Sequence, residues 1–167
     1  MVVAAAGCAL VAMVARICAS SPKYVSKRAL AESLVAQADT LREAFLQRKE
    51  RDERAFDAVV AARGDRDAMQ RALAGAAAVP LEGAGAALEA LRLAADALEL
   101  GNANLVSDIG CAGEFAYAGL LACAYNVRIN HTFMKDETLV ATQRAQLSEF
   151  EKAAHPLLHA IRSALSR

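Results

Sequence analysis

Tryptophan is absent from the 167 residues, aromatics make up only 5%, and there are three prolines. So small a share of strand-forming aromatics argues against a β-rich fold, and prolines this sparse punctuate helices. Net charge is missing too, because 19 lysines and arginines balance 19 aspartates and glutamates. The chain therefore has no overall electrostatic attraction for nucleic acid or an anionic membrane, although a local basic patch can still hold a small anion. No phosphate loop, nucleophile elbow or dinucleotide fingerprint occurs, and there is no internal repeat or low-complexity linker. Cys8, Cys18, Cys111 and Cys123 form neither C-x-x-C nor a zinc-type grouping, and each lies in an apolar helical context. They read as buried free thiols in a reducing cytosol. His155 and His159 are i,i+4 but have no third ligand near them, and His131 stands apart, so no metal is expected.

What is present is alanine and leucine at helical spacing, with 56% of residues hydrophobic. The length fits one domain over 1–167, able to bury roughly 70% of the surface its unfolded chain exposes. The composition predicts an all-α fold.

The chain opens on an almost continuous apolar run, Met1 to Ala19. Ala5-Ala6-Gly7-Cys8 resembles a lipobox but has no basic n-region before it. Arg16 interrupts the run and alanine is weakly apolar, which favours a core helix over a membrane span. Ser20-Ser21-Pro22 ends that helix, leaving Lys23-Tyr24 in a connection. There Lys23 is either a solvated loop residue or a cation meeting a ligand, with Tyr24 an anchor or its companion.

From Ser26 to about Arg63 a long helix places Leu34, Leu41, Phe45, Phe56 and Val59 within roughly 40° of one azimuth, with Asp52 in the same stripe. Asp52 is either paired with Arg48 or Lys49 or is a carboxylate facing a ligand groove, where desolvation raises its pKa. The neighbouring charges, Arg48 to Arg54, read mostly as a solvated face. Gly64-Asp65 predicts a turn and an N-cap. Val79-Pro80 is expected to break or kink the following helix, with Pro80 opening a new one and Glu82 in its first turn.

Gly101 suits the left-handed residue that ends a helix, Asn102 and Asn104 the turn after it, and Ser107 or Asp108 the next N-cap. The helix beyond carries Gly110, Gly113 and Gly119, which cost roughly 1 kcal/mol each relative to alanine and call for close helix packing. On it Asp108 and Asn126 share an azimuth but lie roughly 27 Å apart, so they cannot grip the same atom. Asp136 can cap a last amphipathic helix that Pro156 is expected to kink.

Several of these segments, in this order and spacing, resemble one family. They are Met13-Val14-Ala15, Lys23-Tyr24, Asp52 with Ala55-Phe56, Val79-Pro80-Leu81-Glu82, Gly101-Asn102-x-Asn104-x-x-Ser107-Asp108, and Asn126-Val127-Arg128-Ile129-Asn130. The family is that of the cyclodeaminase domain of formiminotransferase-cyclodeaminase and the bacterial methenyltetrahydrofolate cyclohydrolases, and the likeness runs to about Glu151. It implies a bundle of about five to seven helices, two of them long, that dimerises through its helices and binds a reduced folate. The implied chemistry is hydrolysis of 5,10-methenyltetrahydrofolate or cyclising deamination of 5-formiminotetrahydrofolate; the alternative is a non-catalytic folate-binding or dimerisation partner.

On that resemblance Asp52, then Asp108, are the candidate catalytic carboxylates beside an amidinium-like cation. Asn102, Asn104, Ser107, Asn126 and Asn130 are candidates for the pterin edge or an ordered water, with Tyr24 beside them. Lys23 and Arg128 are candidates for the tail carboxylates. Expected partners are the folate, a second copy of the chain and a formiminotransferase or other folate enzyme, in the cytoplasm, with no cofactor beyond the tetrahydrofolate substrate. The family's glycine-rich segment before the first helix is not found here. Arg16, Cys18 and Ser20-Ser21-Pro22 also depart from its pattern.

Overall fold

Each helix boundary falls where side-chain chemistry starts or stops the backbone hydrogen-bond ladder. A computed structural model describes residues 1–166, and its five helices are α1 (Val2–Ser20), α2 (Arg28–Ala61), α3 (Arg66–Ala97), α4 (Val106–His131) and α5 (Glu137–Leu165). Short 3₁₀ turns at Pro22–Lys27, Leu98–Leu100 and Ala103–Leu105 join them, and no strand occurs among the described residues. Asp65 caps α3 by accepting from the Asp67 and Ala68 amides, and Asp136 caps α5 by accepting from the Leu139 amide. Gly101 adopts the predicted left-handed backbone at φ 69°. Ser107 and Asp108, however, are not caps. Asn102 accepts from the Asn104 amide and caps the 3₁₀ turn, so α4 has already started at Val106 when Ser107 is reached.

The expected break at Val79-Pro80 does not occur: α3 runs unbroken through Pro80, and Glu82 sits in its middle. A proline cannot donate to the carbonyl four residues back, here that of Ala76. Asn130, reaching across from α4, donates its Nδ2 to that carbonyl at 3.0 Å. A tertiary contact thus supplies the bond that the local sequence removes, and the helix continues. As a result α3 is a single helix of 32 residues.

The chain zigzags. Arg16 of α1 pairs with Asp39 of α2, Arg51 of α2 with Glu82 of α3, and Arg162 of α5 with Glu114 of α4, each between antiparallel neighbours. The glycines mark where helices touch. A Cβ on Gly7 would sit 2.9 Å from the Ala112 carbonyl oxygen, and one on Gly119 only 2.7 Å from Ala4 Cβ. The α1–α4 seam therefore has no room for side chains. Gly110 and Gly113 make the same allowance for Leu165 and Ile161 of α5. Around these seams Phe45, Leu34, Leu91, Ile109 and Leu120 are almost fully buried, each worth about 1.5–3 kcal/mol of hydrophobic stabilisation.

α1 is a core helix as expected, with Ala4, Cys8, Val11, Ala15 and Cys18 buried. By length and composition α1 and residues 103–131 would each suffice to cross a membrane, and half of the α1 window is buried inside the bundle. Two expectations of burial fail. Phe56 is 67% exposed, although it shares the stripe of the buried Leu34 and Phe45. Cys111 is exposed on the outer side of α4, while Cys8, Cys18 and Cys123 are buried free thiols.

Candidate functional site

The bundle has two ends, and they divide the candidate residues between them. At one end lie the start of α1, the middle of α2 and α3, and the last turns of α4. Asp52 is half-buried here, on the stripe that also carries the buried Leu34 and Phe45. Met1 and Cys123 pack against Gly83, where an added Cβ would lie 3.0 Å from Cys123 Sγ and 3.3 Å from the Met1 side chain. The close pass at Gly83 lets three helices converge beside Asp52.

Neither cation proposed to pair with Asp52 does so. Lys49 bonds Glu53 at 3.0 Å, and Arg48 has its Nε and Nη1 atoms buried without a partner among the described residues. Desolvation by burial raises the Asp52 carboxyl above its ordinary value, the α-amino charge of Met1 opposes the rise, and Glu53 adds to it. The Cys123 thiol is raised as well, first by burial, and the Asp52 charge adds to the effect. This end holds a carboxylate poised to accept a proton or a cationic partner, beside a thiol that stays protonated.

The surrounding ions have the opposite character. Arg51 grips Glu82 with two bonds of 2.7 and 3.0 Å, and that hydrogen bonding lowers the Glu82 pKa. Arg128 Nη2 reaches both oxygens of Glu151 at 2.8 and 2.7 Å, tying α4 to α5. Asn130 bonds the carbonyls of Ala76 and Asn126, and Asn126 that of Ala122. Asn130 thus ties α4 to α3 and Arg128 ties it to α5, while Asn126 bonds only within α4.

Lys23, Tyr24, Asn102, Asn104, Ser107 and Asp108 lie at the other end. The Lys23 ammonium sits 5.2 Å from the Tyr24 ring centroid. Buried Asn102 donates its Nδ2 to Cys18 Sγ at 3.5 Å. A cavity of about 420 Å³ opens there, lined by Gly101, Asn102, Val106, Ile109, Ala160 and Ala164 among others, but not by Asn104, Ser107 or Asp108. The two candidate carboxylates therefore belong to different ends. Asp108 lies in the first turn of α4 and Cys123, beside Asp52, fifteen residues on, roughly 22 Å along the helix. Lys23 and Arg128 are likewise at opposite ends.

Gly83 and Cys123 were not singled out as site residues. The only signals were a glycine inside a helix and a cysteine with an ordinary burial explanation. Among the described residues no cluster of His, Cys, Asp and Glu could hold a metal ion.

The chain is a five-helix all-α bundle in which the partly desolvated Asp52 carboxylate makes no ion pair among the described residues. The comparisons give that bundle a family. The sequence profile of Formiminotransferase-cyclodeaminase matches residues 1–149, and the chain belongs to that family. A methenyltetrahydrofolate cyclohydrolase from Methylorubrum extorquens is 33% identical over 154 residues, covering 86% of this chain and 74% of the relative. A crystal structure of a formiminotetrahydrofolate cyclodeaminase from Thermotoga maritima superposes with a TM-score of 0.94 at 27% identity, covering 99% of this chain and 84% of that one. The all-α fold and a place in folate one-carbon metabolism follow.

Proposed function

We propose that this protein hydrolyses 5,10-methenyltetrahydrofolate, and that Asp52 is the group that handles the proton. The observation that carries the reading is the half-buried Asp52 carboxyl, raised by desolvation and left without an ion-pair partner among the described residues. The methenyl bridge is an amidinium-like cation, and a partly desolvated carboxylate is attracted to it more strongly than one in water. Water adds to the bridge carbon as Asp52 takes its proton. The proton then passes to the departing nitrogen, one C–N bond breaks, and the formyl product leaves with net release of one proton to solvent. General acid–base help of this kind is worth on the order of 10²–10⁴-fold. Cyclising deamination of the 5-formimino substrate passes through the same kind of cationic centre and is the second reading, favoured by the Thermotoga maritima neighbour.

The test is the loss of methenyltetrahydrofolate absorbance with purified protein, run beside an ammonia readout with the formimino substrate. Turnover of neither substrate by folded protein, or full turnover by Asp52→Asn, would sink the assignment.

We also propose that the chain pairs with a second copy through α1 and α4. Val2, Ala6, Met13 and Ile17 on α1, and Phe115, Ala118, Ala122, Tyr125 and Ile129 on α4, are exposed apolar residues on two adjacent helices. Tyr125 is 67% exposed, and an uncovered stripe of this kind marks an association surface. Sedimentation equilibrium of the wild type and of Tyr125→Glu tests it, a wild-type monomer at micromolar concentration being the contrary result. A cytoplasmic location goes with this reading, supported by the four free cysteines.

A further inference from the structure

Arg48 presents a problem that the fold leaves unsolved. Its Nε and Nη1 atoms are sealed from solvent with no hydrogen-bond partner among the described residues. Breaking or omitting the partner of a buried charge is among the costlier defects a fold can carry. The Arg48 side chain as a whole is only partly buried. It lines a groove of about 440 Å³ between α2, α3 and α5, with Leu41, Leu81, Gly85, Gln146 and Phe150 among the other walls. The Phe150 ring lies against bare Gly85, where a Cβ would be 3.2 Å from the ring edge. The same groove is lined by two carboxylates, but Glu82 is held by Arg51 and Glu89 by Arg92. Among these charged lining residues Arg48 makes no salt bridge to a described residue, although the Glu82 carboxylate feels its charge, and the groove adds apolar walls and an amide at Gln146.

We propose that this groove takes a carboxylate carried on a flat apolar group, and that the group is the p-aminobenzoylglutamate end of the reduced folate that reacts at Asp52. The inference rests on the folate reading above. Arg48 and Asp52 are four residues apart on α2, neighbours on one helix surface. A single extended ligand can therefore meet the carboxyl with its reacting cation and the guanidinium with its acidic tail. The guanidinium meets the carboxylate through its Nη2 edge in a charge-assisted hydrogen bond, and Leu41, Leu81 and Phe150 cover the benzoyl ring. Arg48 is a binding residue here and takes no part in the proton transfer.

The probe is p-aminobenzoylglutamate, titrated calorimetrically into wild type, Arg48→Met and Arg48→Lys. Arg48→Met should weaken binding by about tenfold or more, the worth of a charge-assisted hydrogen bond, with Arg48→Lys recovering part of the loss. The KM for methenyltetrahydrofolate should rise in parallel while kcat stays within about twofold, the signature of lost ground-state binding. Arg48→Met should melt no lower than wild type, because it removes an unpaired charge. Equal affinity of wild type and Arg48→Met for the probe would overturn the proposal. So would inorganic phosphate displacing the probe at equal concentration, since the groove would then be a free-anion site. Arg48-dependent probe binding without turnover of either folate would leave the carboxylate site standing and reject the reaction. Turnover with an unchanged KM in Arg48→Met would reject the site alone.

Discussion

The Asp52 end and the Gly101 end of the bundle contain similar polar residues and use them in opposite ways. At the Gly101 end the polar side chains mostly complete structure: Asn102 caps a 3₁₀ turn and bonds Cys18, and Arg16 pairs with Oδ2 of Asp39 nearby, leaving its Oδ1 buried without a hydrogen bond among the described residues. At the Asp52 end a carboxylate and a guanidinium four residues apart are each partly taken from water, and neither has found the other. Burial without a partner is costly in a fold and useful in a site. The proposed site is thus marked by unsatisfied chemistry rather than by residue type.

The sharpest way to break the comparison is to neutralise one carboxylate at each end. Asp52→Asn should cut methenyl hydrolysis on the order of 10²–10⁴-fold, whereas Asp108→Asn should change it by less than about threefold. Equal losses, read from initial rates at saturating substrate, would erase the distinction between the ends.

Two asparagines on α4 separate a structural role from mere proximity. Asn130→Ala should cost about 1–3 kcal/mol in urea unfolding, because the Ala76 carbonyl freed by Pro80 loses its donor. Asn126 is exposed and bonds only within its own helix, so Asn126→Ala should stay within about 0.5 kcal/mol of wild type.

Glycines with open space around them give a contrast of sign. Gly101→Ala should destabilise by about 1–2 kcal/mol, since its left-handed backbone penalises a Cβ. Gly75 lies inside α3 with nothing within 4 Å of an added Cβ, and Gly75→Ala should stabilise by about 0.5–1 kcal/mol. Thermal melts of the two variants check both directions.

The smallest effect is a pH dependence. Folding raises the Asp52 pKa, so the native state holds its proton to higher pH than the unfolded chain does. Wild-type stability should therefore fall relative to Asp52→Asn as pH rises from the ordinary carboxylate value, 3.8, through the raised one, and the difference should be flat above it. Glu82 and Glu114 are lowered by Arg51 and Arg162 and act the other way, their contribution being lost as pH falls. They are common to both proteins and cancel in the difference. Wild-type stability that rises relative to Asp52→Asn over this range would mean that folding does not raise the Asp52 pKa.

Much of the fold was legible in the residues. The caps at Asp65 and Asp136, the stop at Gly101 and the core role of α1 are local properties, carried by side chains that act on their own backbone within a turn. Pro80 was misread because its missing hydrogen bond is repaired by Asn130, fifty positions away in sequence. Phe56 was misread because a helical stripe specifies a face but not which positions along it a neighbouring helix covers. Asp52 could be singled out as a polar residue on an apolar stripe. Its freedom from Arg48 and Lys49 could not, since both lie within reach on the same helix and side-chain direction decides.

The sequence by itself determined that the chain would be helical, roughly where each helix would start and stop, which family it resembles and which carboxylate to suspect. Those are matters of periodicity, capping and short motifs, and they act over a few residues. Only the tertiary structure decided that Asp52 and Asp108 occupy opposite ends, that Asn130 serves Pro80, and that Arg48 faces a groove unpaired. These outcomes depend on which helices lie side by side and in which direction, and burial and pairing follow from that arrangement alone.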